Sequence, residues 1–300
     1  MKKKPELNFD LKQMASFMEL VRSGGFTSAS RKLRVGQATI SHHIRALEEM
    51  LGVKLFHRSG RESTLTPEGE LFRKYCERVF REVDDLRDGL ARGAFGGVTR
   101  VCASTVPAGY LIPEAAASIR KSHPDYAYRI EVAGSREVIE MIKEGRAEIG
   151  FVGRKISLPA LVFQRVARDE LVLAGAPSHP DAVTIQGLGE LPFITRESGS
   201  GSRIAYEEAL GRRGMRPSAL VPVIECSSLE GVRESVIAGA GVAFMSRRVI
   251  ERALDARVLK VIRVEGIKVE RDFYAVRLKQ RELSAPARAL VEAIRGRERV

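Results

Sequence analysis

Apolar residues recur at helical spacing through the first third of the chain and at alternating helix and strand spacing after it. Leu11, Met14, Met18 and Val21, with Phe17 and Leu20 beside them, predict a helix over about 10–22, which Ser23-Gly24-Gly25 ends. Thr27-Ser28-Ala29-Ser30 starts a short second helix through Leu33, and Arg34-Val35-Gly36 reads as a tight turn. A third helix follows from about Gln37 to Leu51. Ile40, Ile44, Leu47 and Leu51 make its buried stripe. The opposite face carries Ala38, Thr39, His42, Arg45, Ala46 and Glu49, slim and polar enough for a major groove about 12 Å wide. Short helix, tight turn and long helix together predict a helix-turn-helix.

Val53–Arg58 and Ser63–Thr66 then flank the polar turn Ser59-Gly60-Arg61-Glu62, which predicts a β-hairpin wing. Arg58 and Arg61 on it suit phosphate contacts, which position a protein without specifying sequence. Pro67 opens a long helix in which Phe72, Tyr75, Val79, Val83, Leu86 and Leu90 form an apolar seam. Such a seam fits a helix paired between subunits, or one packed on its own domain. Gly93, Gly96 and Gly97 mark a boundary.

From residue 97 strands and helices alternate. Strands at 98–103, 128–132 and 149–152 enclose helices at 107–121 and 136–144, which argues a parallel sheet. Further strands fall near 170–175, 192–195, 220–225, 242–245 and 271–277, with helices near 202–213, 229–239 and 284–295. The expected architecture is α/β overall, with two lobes and a cleft. Its parts are a DNA-binding domain over 1–66, a linker helix over 67–94 and an effector domain over 95–300. Lobe I covers about 97–164 and 267–300, and lobe II about 165–266.

Four loops offer small hydroxyls and backbone N–H groups where helices begin: Ser104-Thr105, Gly134-Ser135, Ser198-Gly199-Ser200-Gly201-Ser202 and Ser227-Ser228. Arg196 and Arg203 flank the third. This chemistry suits a small anion, and the alternative is a set of ordinary caps and turns.

Charge adds to the picture. The chain has 300 residues, 44% hydrophobic, and a formal net charge of +12. Residues 1–66 hold 12 Lys and Arg against 6 Asp and Glu, the densest positive stretch, as a polyanionic partner would favour. Met1-Lys2-Lys3-Lys4 precedes no signal-peptide core, no apolar run is long enough for a membrane span, and three cysteines lack metal-ligand spacing. A cytoplasmic protein without metal or cofactor is expected.

Gly25-Phe26-Thr27-Ser28-Ala29, Gln37-Ala38-Thr39-Ile40-Ser41, Ile44-Arg45-Ala46-Leu47-Glu48, Leu51–Arg58 and Leu65-Thr66-Pro67-Glu68-Gly69 resemble the DNA-binding domain of LysR-type transcriptional regulators. Gly36, Ala38 and His42-His43 depart from the usual family residues. Ala103-Ser104-Thr105, Leu111-Ile112-Pro113 and Arg196–Arg203 resemble the family's effector domain, which has a periplasmic-binding-protein-like fold. Within the family, the 196–203 loop is similar to regulators of carbon fixation and sulfur-compound metabolism.

The resemblance implies a winged helix-turn-helix in which Thr27, Gln37, Ala38, Thr39, Ser41, His42, Arg45, Arg58 and Arg61 meet double-stranded DNA. It implies an effector cleft at Ser104, Thr105 and Ser198–Ser202, to which the loop chemistry adds Gly134, Ser135 and Ser227. It also implies a homodimer or homotetramer, with RNA polymerase a further possible partner. Three other readings fit less. An enzyme lacks its motifs, with no P-loop, nucleophile elbow or HExxH. A transport binding protein leaves the helix-turn-helix without a role. A redox sensor would depend on Cys102 and Cys226.

Overall fold

The computed structural model describes residues 9–57, 63–91, 98–156 and 158–298, in two units that divide between Asp88 and Gly89. In the first unit, helix α1 (Leu11–Ser23) begins with a capping box. The Asp10 carboxylate accepts the Gln13 N–H at 2.8 Å, and the Gln13 side chain accepts the Asp10 N–H at 3.2 Å. Helices α2 (Phe26–Leu33) and α3 (Gln37–Leu51) follow, with Arg34 in the left-handed conformation at the turn between them. Phe17 is fully buried at the centre, its ring centroid 5.3 Å from that of Phe56 and 4.9 Å from that of Phe72. Ile40, Ile44 and Leu47 complete this core as their spacing predicts, and Leu51 is half-buried at its edge.

Phe56 and Leu65 form an antiparallel bridge at the base of the expected hairpin. Its tip, with Arg58 and Arg61, lies outside the described residues. Helix α4 (Pro67–Ala91) starts where the Thr66 hydroxyl accepts the Gly69 N–H at 2.9 Å. The apolar seam expected on α4 is divided. Phe72 and Cys76 are buried with the helix-turn-helix, and Val79 and Phe80 pack against the same core. Tyr75 and Leu86 are exposed, at 49% and 62%. The Leu90 side chain lies outside the described residues.

In the second unit the first five elements are β1 (Val98–Ala103), α5 (Ile112–Arg120), β2 (Ala127–Val132), α6 (Ser135–Lys143) and β3 (Ile149–Val152). Strand β1 pairs parallel with both β2 and β3, as the βαβαβ order predicts. One long helix was expected over 107–121. Instead a π-helical turn covers Pro107–Leu111 before α5, because Pro113 has no N–H for the helical ladder.

The chain continues through β4 (Leu161–Gly175), β5 (Ala182–Val183), β6 (Phe193–Arg196), α7 (Gly201–Gly211), β7 (Pro222–Cys226), α8 (Leu229–Ile237) and β8 (Ala243–Ser246). It ends with α9 (Arg247–Asp255), β9 (Lys260–Val264), β10 (Val269–Leu278) and α10 (Ala285–Arg297). The main sheet runs β2-β1-β3-β10-β4-β9-β5, with β8 also on β4; β6 and β7 form a parallel pair of their own. The second lobe departs from the expected repetition, since β4 is antiparallel to β8, β9 and β10. Strands β4 and β10 pair along most of their length and carry the chain across between the lobes. Strand β9 and helix α9 went unread in the sequence. In α9 Val249 and Ile250 are buried and Ala253 and Leu254 pack half-buried on the same core, so the sequence does carry a helical apolar period there. Among the described residues no helix is long and apolar enough to cross a membrane.

Candidate functional site

Helix α3 presents one continuous exposed edge. Gln37, Ala38, His42 and Arg45 are exposed, and Thr39 and Ser41 are half-buried beside them. Thr27, exposed on α2, lies with its hydroxyl 3.4 Å from the Gln37 side-chain oxygen. Seven of the nine candidate DNA-contacting residues thus share one face, and the other two, Arg58 and Arg61, lie outside the described residues. The adjacent histidines part company. His43 turns inward, where its Nδ1 hydrogen-bonds the Ser16 hydroxyl on α1 at 2.7 Å, while His42 stays exposed. The Glu48 carboxylate fixes the exit from α3. It accepts the Leu55 N–H at 3.0 Å and pairs with Lys54 at 2.6 Å. Burial works against its charge, yet these partners hold its carboxyl below the usual range.

A cavity of about 310 Å³ lies between the two lobes of the second unit, a size within the span of small-molecule sites. Ser104 and Thr105 after β1, Gly134 and Ser135 at the start of α6, and Ser198–Ser202 at the start of α7 all line it. Ser227 does not line it. Its carbonyl accepts a bond from Arg196 at 3.2 Å, and its neighbour Ser228 caps α8. The Ser200 hydroxyl caps α7 through the Arg203 N–H at 3.2 Å. The hydroxyls of Ser104, Thr105, Ser135, Ser198 and Ser202 have no hydrogen-bond partner among the described residues, and Ser202 is only 6% exposed.

The cations differ from those the sequence suggested. Arg196 is held by the Glu197 carboxylate at 2.8 and 2.9 Å. Arg203 donates to Glu207, Glu225 and the Arg196 carbonyl. Arg136, exposed on the first turn of α6, has no partner among the described residues and lines the cavity. Arg271 on β10 lines it too, with a side chain only 8% exposed. Its Nε donates to Asp169 at 2.8 Å, and the Ser246 hydroxyl donates to the same carboxylate at 2.6 Å. Sequence reasoning missed Arg136, Arg271 and Asp169. Of the two cysteines of the redox reading, Cys102 is buried and Cys226 half-buried. Burial pushes both Cys76 and Cys102 up to about 12, so thiolate is scarce at neutral pH.

The sequence model of the bacterial regulatory helix-turn-helix protein, lysR family, matches residues 11–70, and that of the LysR substrate binding domain matches residues 92–299. The chain belongs to the LysR family. It is a DNA-binding transcriptional regulator with an effector-binding domain. The HTH-type transcriptional regulator CbbR of Rhodospirillum rubrum is 28% identical over 293 residues, covering 96% of this chain and 97% of that one. The phosphonates import ATP-binding protein PhnC of Anaeromyxobacter dehalogenans (strain 2CP-C) is 32% identical over 86% of this chain, which spans about half, 53%, of that longer protein. Among solved structures, full-length CbnR complexed with its target DNA matches with a TM-score of 0.71 and 20% identity, covering 96% of this chain and 99% of that one. That likeness is one of fold.

Proposed function

We propose that this regulator reads a specific DNA sequence with the exposed edge of α3 and is controlled by a small anion held in the cavity between its lobes. The observation that carries the effector reading is the convergence of α6 and α7 N-termini with unspent hydroxyls and with Arg136, which has no partner among the described residues. Helix N-termini and free N–H groups favour negative charge. The cavity is lined from both lobes, so a bound ligand favours one lobe arrangement by its differential affinity.

His42 is the residue to test on DNA, because His43 is already engaged with Ser16. His42→Ala should weaken binding to a site selected from random DNA by about 1–3 kcal/mol, and binding to scrambled DNA far less. Fluorescence-anisotropy titrations on both DNAs measure this. Equal losses on the two would remove His42 from sequence reading.

We also propose that α4 pairs two copies into a homodimer, the unit of a dimer or tetramer. The exposed Leu71, Tyr75 and Leu86 support this, since large apolar side chains on one helix are costly to leave in water. Leu86→Glu leaves the protomer core untouched and should shift the protein towards monomer in light scattering. A full dimer at the same concentration would sink the pairing.

A further inference from the structure

We propose that Arg271 selects the effector: an oxyanion docks on its Nη1, the guanidinium nitrogen turned towards the cavity between the two lobes. The inference rests on the anionic reading of the cavity and adds to it the residue and the ligand chemistry. Arg271 is a buried cation with little to bond. Its guanidinium has five N–H donors. Only Nε makes a well-directed bond, to Asp169. Nη2 lies 2.8 Å from the same carboxylate oxygen but is misdirected, has no hydrogen-bond partner among the described residues and is sealed from solvent, which leaves Nη1 as the nitrogen a ligand can reach.

Nη1 reaches towards the cavity. A Cβ on Gly201 would sit 3.5 Å from it, and one on Gly153 would sit 3.6 Å from it. Gly153 follows β3 of lobe I, and Gly201 is the first residue of α7 in lobe II. The guanidinium thus faces the seam between lobes across two residues that have no side chain. The Phe273 ring lies under it, 4.9 Å from the guanidinium carbon to the centroid, and fixes its plane.

The electrostatics ask for an anion. Burial disfavours the charged form of Arg271; Asp169 opposes that effect and nearby Arg196 adds to it. One carboxylate, shared with the Ser246 hydroxyl, is its only ion-pair partner among the described residues. A charged N–H donor in a desolvated site favours a carboxylate, phosphate or sulfur oxyanion over an uncharged group. The Ser202 hydroxyl and the N-terminal turn of α7 lie on the same side as Gly201 and can take the remaining oxygens.

The test uses the full-length protein with inorganic phosphate, sulfate, sulfite and acetate, glycerol as the uncharged probe, and sodium chloride at matched ionic strength. Thermal melting and calorimetry should show saturable binding of at least one oxyanion, and none of glycerol or chloride. Arg271→Lys keeps the charge beside Asp169 and loses the Nη1 donor that faces the cavity, so the dissociation constant should rise about tenfold to a hundredfold. The double variant Asp169→Asn/Arg271→Gln, which leaves no lone buried charge, should lose the melting shift. An oxyanion that binds both variants as tightly as the parent protein overturns the role of Arg271 and leaves the anionic cavity standing. A parent protein that none of the four oxyanions stabilises defeats the anionic reading, and the proposal with it.

Discussion

Gly69→Ala is expected to collapse the DNA-binding unit and abolish DNA binding. Gly69 lies in the first turn of α4, against the strand-like segment that follows α3. A Cβ there would fall 2.1 Å from the Leu55 carbonyl oxygen, 2.9 Å from Leu65 Cδ2 and 3.0 Å from the Leu55 carbonyl carbon. The obstacle is backbone, and it is pinned. The Leu55 carbonyl accepts the Thr66 N–H at 3.1 Å, and the Thr66 hydroxyl donates to the Lys54 carbonyl at 2.6 Å. Neither side can retreat without breaking the cap that starts α4. Overpacking usually costs about 1–3 kcal/mol, and a clash with fixed backbone belongs at or above the top of that range. That is a large part of a typical stability of about 5–15 kcal/mol. Thermal melting and anisotropy on a selected DNA site check it. Gly25→Ala, which meets nothing within 4 Å, is the mild control. A Gly69→Ala protein that melts and binds like the parent would refute the close approach.

Gly69 also marks what could be read from the sequence. It belongs to the run Leu65-Thr66-Pro67-Glu68-Gly69, which the resemblance singled out, and the structure supplies the reason for its glycine. The same holds for Glu48, whose carboxylate ties α3 to the following segment. Helices α1 and α3 were legible because each buries one stripe at a fixed period in a small, local core, and α2 because small polar residues start it. The first lobe was legible for a similar reason. Its strands and helices alternate, so sequence neighbours are spatial neighbours.

The second lobe was less legible. Strand β4 spans 15 residues, and its middle has no strong alternation in Gln164-Arg165-Val166-Ala167-Arg168-Asp169-Glu170. Its partner β10 comes about a hundred residues later, and no local pattern announces that pairing. The loops of the cavity could be found, because serine and glycine before a helix are a local signal. Its cations could not. The arginines that flank the 198–202 loop are engaged by neighbouring carboxylates, while Arg271 arrives from a distant strand. Ser227 shows the limit of the local signal, since a serine before a helix need not line the cavity.

Asp169→Ala should be the most destabilising change in the effector-binding unit. Asp169 on β4 stands directly opposite Arg271 on β10 in the strand register, and its side chain is fully buried. Removing the carboxylate strands two donors at once, the Arg271 Nε–H and the Ser246 hydroxyl. Breaking a buried ion pair from one side costs about 3–5 kcal/mol, because the surviving charge stays out of water. Replacing both partners by apolar groups of similar volume is often neutral. Asp169→Leu/Arg271→Met should therefore recover at least about half of what Asp169→Ala loses, a coupling that a double-mutant cycle reads by denaturant unfolding. The expected pattern separates folding from recognition: the apolar double variant keeps the two-lobed fold and loses the oxyanion. If Asp169→Ala costs under about 1 kcal/mol, water reaches the pair and solvates the guanidinium. Arg271 would then be an ordinary hydrated cation at the cavity wall, with no unmet demand for an anionic ligand.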